Sequence, residues 1–561
     1  MMKPASATTL RRLAFAAAAL ACIIAASQAL TAVRRQAEAA ELRGYAGDVQ
    51  ASPTIELATK TLGPFRAFAI IALWVRASDL QQDGKFFELN DLFRLISQLE
   101  PRFPNVWSYW AWNVAYNCSV KFPAAQPEER WRWVSLGIEI LHNGIRINPK
   151  APMLYRELGW LYSHKIGQDM DDAHIYYKVR LADDMQAALG KPPYLARLKA
   201  IAAAPATQAE LLRDPAVRSL AEELKAAGAD PFARPLEVAN RSPQLPSAAL
   251  DILANPDRAD AAAGLEAFLR AGHLRDTLRL DAQRMVKLMD FGPIDWRLPD
   301  AHALYWAAIS VELFGADVFA VANSDRMLFH GLSELYRRGH LRFEPATNEE
   351  PASYITAPEF AFLEPVIRLH EDIVKRHEKS EYQVPTREGF LNFLRQAVLD
   401  LYSYNDLKRA AHYLKRLVEL GGESPQPLDQ FVLNRYNKLM EAMTTTQAMN
   451  LVRGMLFRSV LWASVGDMDR AVGEENLGRR IYNQYREKRF SERVKAQIPP
   501  IRELWLDALR EAVHTFRDFQ VDELRRLYPT DVKAIEEEIR KRAEESPERR
   551  PSAPGPSPPK R

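Results

Sequence analysis

Two stretches of the chain carry the same pattern 48 positions apart, and this repeat constrains the fold more than any other feature. The first copy reads Pro101, Pro104, Trp107, Trp110-Ala111, and the second reads Pro149, Pro152, Tyr155, Leu158-Gly159. In each copy the prolines end one helix, and the apolar residues that follow have the three- and four-residue spacing of an amphipathic helix. A small residue directly after a large one lets a second helix approach closely. The repeat therefore predicts an array of helical hairpins.

The segment before the first copy has the spacing of a known repeat. The residues that carry it are Gly84, Phe86, Leu89, Phe93, Ile96 and the closing Pro101, with Leu73, Ala77 and Leu80 upstream. They resemble the tetratricopeptide repeat, a helix–turn–helix unit of about 34 residues. The next unit is about 14 residues longer than that period, and the excess lies in 118–128, where two prolines interrupt the helical pattern. The third unit lacks the closing proline.

Weaker echoes of this spacing occur downstream, at Leu394, Ala397, Val398 and Leu401 and again around Trp462. No stretch shows sustained period-two alternation between hairpin turns, so no sheet is expected. The resemblance implies an all-α fold, a right-handed superhelical solenoid of degenerate tetratricopeptide-like hairpins. More loosely, the chain is similar to large membrane-anchored bacterial repeat proteins.

Breaks and shifts in composition divide the chain into seven segments. The segments are a membrane anchor or signal at 1–35, a connector at 36–61, repeats at 62–185, an irregular Ala- and Pro-rich helical insertion at 186–290, helical hairpins at 291–385, degenerate repeats at 386–535, and a helix end with a Pro-rich tail at 536–561. Within the fifth segment, Asp300 follows a dense turn and is the predicted N-cap of the next helix.

The N-terminus carries a membrane or export signal. Lys3, Arg11 and Arg12 precede an apolar run at 13–30 that continues to Arg34. A run of roughly 20 residues has the length of one membrane span, and this favours a retained single-pass anchor at 13–33. A cleavable signal ending near 27–29 is the alternative, and the protein would then be secreted. Basic residues flank both ends of the run, so they leave the orientation open. An anchor with its N-terminus inside, or a cleaved signal, places the rest of the chain outside the cytoplasm, in the periplasm of a bacterium.

A second apolar stretch follows at 67–75 and is flanked by Arg66 and Arg76. Nine residues are too few to span a bilayer, which takes about 20. The spacing favours the buried first helix of the first repeat. An interfacial helix lying beside the anchor is the alternative.

Motifs for common enzyme classes are missing from the sequence. There is no phosphate-binding loop, dinucleotide fingerprint or nucleophile elbow. His370-Glu371 begins like a metalloprotease helix, but Val374 stands where the second histidine belongs. The net charge of +3 carries no basic excess that would indicate nucleic acid. We therefore expect a protein that is not an enzyme and has no cofactor.

Two clusters of histidines and carboxylates could instead indicate a metal site or a catalytic site. The first gathers imidazoles and carboxylates in the turn of the third unit, at His164, Asp169, Asp171, Asp172 and His174. Turn and capping geometry explains these residues without a metal. The second cluster is His302 with Asp295 and Asp300, which suggests acid/base chemistry, although a structural histidine at a helix start is the preferred interpretation.

The resemblance also places candidate partner-binding residues. In tetratricopeptide arrays the first helices line a concave groove, and Trp112 and Trp160 occupy equivalent positions on the face assigned to it. Their predicted groove neighbours are Asn105, Ser108 and Tyr116 in one unit and Arg156, Ser163 and His164 in the next. Aromatic and Arg side chains commonly anchor protein interfaces. The alternative is that the long unit buries both tryptophans in a local core.

These patterns predict a membrane-anchored scaffold or adaptor that binds a protein or peptide partner through a concave helical surface. The alternative from another class is a cell-envelope hydrolase or glycan-processing enzyme with its site in 186–345.

Overall fold

A computed structural model describes residue 28 and residues 66–232, 235–314, 318–347, 351–489 and 498–545. The chain forms two compact units, Met1–Tyr382 and Gln383–Arg561. The described residues are mostly helical, which confirms the all-α expectation at that level.

The first unit contains most of the helices. Its helices are α1 (Arg66–Gln82), α2 (Phe86–Leu99), α3 (Pro104–Trp112), α4 (Pro127–Ile147), α5 (Pro152–Trp160), α6 (His174–Leu189), α7 (Leu195–Ala202), α8 (Gln208–Leu211), α9 (Pro215–Ala226), α10 (Pro235–Ala239), α11 (Ser247–Ala254), α12 (Ala259–Asp276), α13 (Ala282–Leu288), α14 (Pro299–Phe314), α15 (Val318–Arg338) and α16 (Leu363–Arg376). Two π-helical segments, Asn113–Cys118 and Leu161–Ile166, continue α3 and α5.

The first unit also contains a two-stranded antiparallel sheet that the sequence analysis did not predict. Strand β1 (His340–Glu344) pairs with β2 (Ser353–Ala357), with His340 opposite Ala357. Leu341 and Phe343 are buried and their neighbours on β1 are exposed, so the strand does alternate. The alternation lasts only five residues, too short to stand out from helical patterns.

The two copies of the sequence repeat have the same local structure. Helices α3 and α5, and the π segments that follow them, begin and end at positions 48 residues apart. In the first copy the Trp107 indole Nε1–H donates to the Pro101 carbonyl at 2.9 Å, and in the second the Tyr155 hydroxyl donates to the Pro149 carbonyl at 3.0 Å. The sequence match therefore extends to matching side-chain contacts.

Glycines allow the close helix contacts around these copies. A Cβ at Gly144 of α4 would lie 2.8 Å from the Trp107 Cβ, and one at Gly137 would lie 3.1 Å from the Ala111 carbonyl oxygen. A Cβ at Gly159 of α5 would lie 3.1 Å from the Ala303 carbonyl oxygen on α14. The small residues of the repeat thus lie where helices meet, but the neighbour of α5 comes from about 140 residues further along the chain.

The predicted insertion has a hydrophobic cluster of its own. Apolar side chains from α8 to α12 form this cluster, among them Leu211, Val217, Leu220, Leu224, Leu265 and Leu269. The predicted breaks at 190–193, 204–205, 230–231 and 242–246 all fall between helices.

Helices are the regular secondary structure of the second unit where the structure describes it. Its helices are α17 (Gln383–Ser403), α18 (Leu407–Glu419), α19 (Leu428–Glu441), α20 (Thr445–Ser464), α21 (Met468–Arg489), α22 (Ile501–Thr515), α23 (Asp518–Leu527) and α24 (Pro529–Glu545). Helices α17 and α18 form a hairpin through Asn405, whose φ of 63° is left-handed. The downstream echo residues Leu394, Ala397, Val398 and Leu401 are buried on α17.

Within the described ranges, no helix has both the length and the apolar character needed to cross a bilayer. Apart from residue 28, the predicted anchor at 13–33 and the alternative cleavage site lie outside those ranges, as does the Pro-rich tail from position 546.

We predict that Gly144→Ala lowers the free energy of unfolding of the first unit by about 1 kcal/mol. Overpacking against Trp107 costs about 1–3 kcal/mol, which outweighs the gain of roughly 1 kcal/mol from replacing a helical glycine. The measurement is thermal denaturation of the full chain followed by circular dichroism.

The matched control is Gly272→Ala on α12, where the nearest atom to an added Cβ is 4.0 Å away. This variant should be as stable as the parent or more so. Equal effects from the two substitutions would contradict the close approach at Gly144.

Candidate functional site

Four rings from the two repeat copies form one continuous aromatic row, Trp112–Tyr116–His164–Trp160. Trp112 stacks on Tyr116 at 5.7 Å between ring centroids, and Trp160 stacks on His164 at 4.5 Å. Tyr116 and His164 join the two pairs, with their ring centroids 5.7 Å apart. The structure therefore brings four of the eight predicted partner-binding residues together.

Helix geometry explains the two stacked pairs. Trp112 and Tyr116 are four residues apart, as are Trp160 and His164, and side chains at this spacing lie on one helix face. Each tryptophan is the last residue of its α-helix, and Tyr116 and His164 lie in the π segments that follow. Short π segments inside helices occur frequently at functional sites. Here both copies have one at the same place, so both present a tryptophan at the junction.

A hydrogen bond joins the two copies at the centre of the row. The Tyr116 hydroxyl and His164 Nδ1 are 3.0 Å apart. Burial raises the pKa of Tyr116, with a further contribution from the nearby Glu157 carboxylate, so the phenol keeps its proton. Burial, with help from Lys165, lowers the pKa of His164. A protonated phenol and a neutral imidazole therefore share this hydrogen bond, and the tautomer of His164 sets which of them donates.

The tryptophans at the two ends of the row are exposed to solvent. The exposed fraction is 41% for Trp112 and 42% for Trp160, against 6% for Trp107 in the same helix as Trp112. The sequence alternative of a local core that buries both tryptophans is therefore wrong. Large aromatic side chains held in fixed positions and facing water are available for a partner.

The other four predicted residues, Asn105, Ser108, Arg156 and Ser163, are not part of the row, and Ser163 is buried rather than facing a groove. Arg156 is four residues before Trp160 on α5, and its guanidinium donates to Glu157 at 2.7 Å. Asn105 is in the first turn of α3, seven residues before Trp112, which is about 10 Å along a helix axis. It therefore lies at the opposite end of α3 from the row.

Sequence reasoning missed further aromatic residues beside the row. Tyr109, three residues before Trp112, is 55% exposed and packs edge to face on Trp74 at 5.6 Å. Trp74 also packs against Phe103, which is exposed. The spacing of Tyr109 and Trp112 on one helix was the available signal.

A buried ion network lies beneath the row and centres on Asp171. Its carboxylate accepts from Arg130 Nη1 at 2.7 Å, from Lys165 Nζ at 2.5 Å and from the Ala173 backbone N–H at 2.9 Å. Burial alone would raise the pKa of Asp171, but these donors hold it below its ordinary value. The Lys165 ammonium also lies 5.2 Å from the centre of the Tyr116 ring. Lys165 was not predicted as part of the site.

The predicted cluster of imidazoles and carboxylates in this turn is divided among separate contacts. Asp171 faces cations, His164 stacks on Trp160, and His174 Nδ1 is 2.9 Å from Lys178 Nζ. Across the described part of the chain, no group of three or more His, Cys, Asp or Glu residues is arranged to hold a metal ion.

The second predicted cluster, around His302, is also divided. Asp295 forms an ion pair with Arg297 at 2.7 Å and accepts from the Tyr194 hydroxyl at 3.1 Å. Burial lowers the pKa of His302 to about 4, so its ring is neutral at pH 7 and Nε2–H donates to the Trp296 carbonyl at 3.0 Å. The imidazole therefore has a structural contact with the backbone.

The prediction that Asp300 caps a helix was wrong. Helix α14 begins at Pro299, one residue before Asp300, and Asp300 is fully buried. Its carboxylate accepts from Arg338 Nε at 2.7 Å and Nη2 at 2.8 Å, and Arg338 Nη1 donates to the Gly167 carbonyl. Arg338, at the end of α15, therefore pairs with the Asp300 carboxylate that the local sequence predicted to cap α14.

Comparison with protein-family models and with curated protein sequences gives no match to this chain. The tetratricopeptide resemblance therefore stays a prediction, and the function must be argued from the site.

We predict that His164→Phe reduces the loss of stability when the pH falls below 6.5, the ordinary pKa of histidine. Because the folded state lowers the pKa of His164, the unfolded state binds more protons between the two pKa values. Stability therefore falls as the pH decreases through that window. Phenylalanine keeps a ring against Trp160 but cannot titrate.

The measurement is urea denaturation of parent and variant at pH 7.5 and pH 5.5, compared as a double difference. Equal losses in the two proteins would contradict a lowered pKa at His164.

Proposed function

We propose that the protein is a membrane-anchored, tetratricopeptide-like scaffold or adaptor. It binds a protein or peptide partner through the helical surface that carries the aromatic row, and that surface is concave. The observation that carries this proposal is the pair of exposed tryptophans at equivalent positions of two sequence copies.

The construction of the row supports a binding role. Each tryptophan is held by stacking on a neighbouring ring, and the central rings are joined by a hydrogen bond. A surface ordered before binding loses little side-chain entropy when a partner arrives. Fixed aromatic side chains therefore suit an interaction surface better than free ones would.

The chemistry of the row indicates what the partner presents. The ring faces of Trp112 and Trp160 accept apolar side chains, and they attract cationic ones such as arginine. The row itself holds no carboxylate, and Glu157 beside it is already paired with Arg156. The partner segment is thus apolar with basic residues, rather than strongly acidic.

Membrane attachment gives the scaffold its mechanism. The anchor at 13–33 holds the helical units on the outer side of the cell membrane, in the periplasm. Attachment raises the local concentration of a partner in the same membrane and strengthens a weak contact. Cleavage of the N-terminal segment would instead give a secreted binding protein.

The hydrolase alternative finds no support in the residues that suggested it. The carboxylates of Asp295 and Asp300 are paired with Arg297 and Arg338, and the His302 ring donates to a backbone carbonyl. General acid/base work needs a proton-transfer group within reach of a substrate. We therefore propose the scaffold and not the enzyme.

The test is the double substitution Trp112→Ala/Trp160→Ala in the full chain, purified from membranes with its partners. The variant should lose a stoichiometric partner that the parent retains, while its melting temperature changes by less than about 2 °C, since neither side chain is in the core. Both proteins are compared by mass spectrometry and thermal denaturation.

Two controls complete the experiment. Leu195→Ala removes an apolar side chain with the same exposure, 41%, and should keep the partner. Trp107→Ala removes a buried tryptophan and should lower the melting temperature by several degrees. Retention of the partner by the double variant, or a large drop in its melting temperature, would contradict the proposal.

A further inference from the structure

Helix α1 is apolar on two opposite faces. One face packs inward, with Ile70, Ala77 and Leu80 buried. On the other face Phe68 is 70% exposed and Ile71 is 60% exposed. The sequence prediction of a buried first helix therefore holds for only half of the helix surface.

The exposed apolar residues form a defined stripe. Phe68, Ile71, Ala72 and Val75 follow the three- and four-residue spacing of one helix face, and all four are exposed. The stripe is confined to the first turns of α1, because the exposed residues beyond it are the polar Ser78, Asp79, Gln81 and Gln82. An apolar surface of this kind marks an interaction site when it is contiguous.

The position of the stripe in the chain indicates what covers it. The stripe is at the start of α1, and about 32 residues separate α1 from the apolar run at 13–33. Arg66 and Arg76 flank it in sequence, and the Arg76 side chain is exposed. Apolar side chains bordered by cations are typical of a helix in the interface of an anionic bilayer.

A second copy of the chain fits the stripe less well. Phe68, Ile71 and Val75 are only 70%, 60% and 58% exposed, and a large aromatic side chain buries no more than about 250 Å², so each of them, like the small Ala72, can add only part of that area. Their total stays below the roughly 800 Å² per partner that a stable protein interface buries. The stripe is too small for a dimer interface but sufficient for a second membrane contact beside an anchor.

We propose that the first turns of α1 lie in the interfacial layer of the membrane, with Phe68, Ile71 and Val75 in contact with lipid. This inference rests on the proposed membrane attachment. The contact fixes the start of the helical unit at the membrane surface, so the N-terminal anchor is not its only attachment.

The test places a fluorescent label on the stripe in the full chain. Cys22→Ala removes the cysteine of the apolar run, and Cys118 is fully buried, so Ile71→Cys provides the labelling site. The label is an environment-sensitive nitrobenzoxadiazole. The labelled protein is reconstituted in vesicles of phosphatidylcholine and phosphatidylglycerol, with and without brominated lipid. The matched control is Asp79→Cys, which lies two turns further along the exposed face of α1.

We expect a blue-shifted emission at position 71 and at least a twofold quenching by brominated lipid, with neither effect at position 79. Flotation of the vesicles reports attachment separately. A chain that floats without quenching at position 71 overturns this inference alone, and a chain that does not float overturns the membrane attachment as well. Self-quenching between labelled copies, without quenching by lipid, would show that a second copy covers the stripe.

Discussion

The buried carboxylate of Asp171 is the contact on which the arrangement around the aromatic row depends. It accepts from Arg130 on α4, from Lys165 in the second π segment and from the backbone before α6, so one anion joins three parts of the chain. The side chains of Asp171 and Lys165 are each only 3% exposed. Removing one member of such a network leaves an uncompensated buried charge, which typically costs about 3–5 kcal/mol.

The aromatic row follows from this arrangement and from the sequence repeat. Lys165 is fixed by Asp171 and its ammonium lies near the Tyr116 ring, while its neighbour His164 reaches the Tyr116 hydroxyl. A second ion pair, Asp300 with Arg338, connects α14 and α15 and reaches the Gly167 carbonyl just after the second π segment. Buried ion pairs of Asp171 and Asp300 thus fix the helices around the row relative to one another. The row itself presents uncharged rings to solvent.

Part of this structure could be predicted from local pattern. The 48-residue offset gave the boundaries of equivalent helices and the equivalence of Trp112 and Trp160. The contacts between residues far apart in the chain could not be predicted, because local spacing carries no information about which later helix packs against a glycine. Gly159 meets α14, and Asp300 meets Arg338 rather than capping its own helix. Strand β1 was missed because five alternating residues are too few to separate from a helix.

The measurement that tests the central claim most directly is photo-crosslinking from the two ends of the aromatic row. Benzoylphenylalanine replaces Trp112 in one full-length protein, Trp160 in a second and Leu195 in a third, and each is irradiated in intact membranes. The account predicts that positions 112 and 160 crosslink to the same protein and that position 195 does not. Crosslinks to different proteins, or the same yield at all three positions, would contradict a shared partner surface.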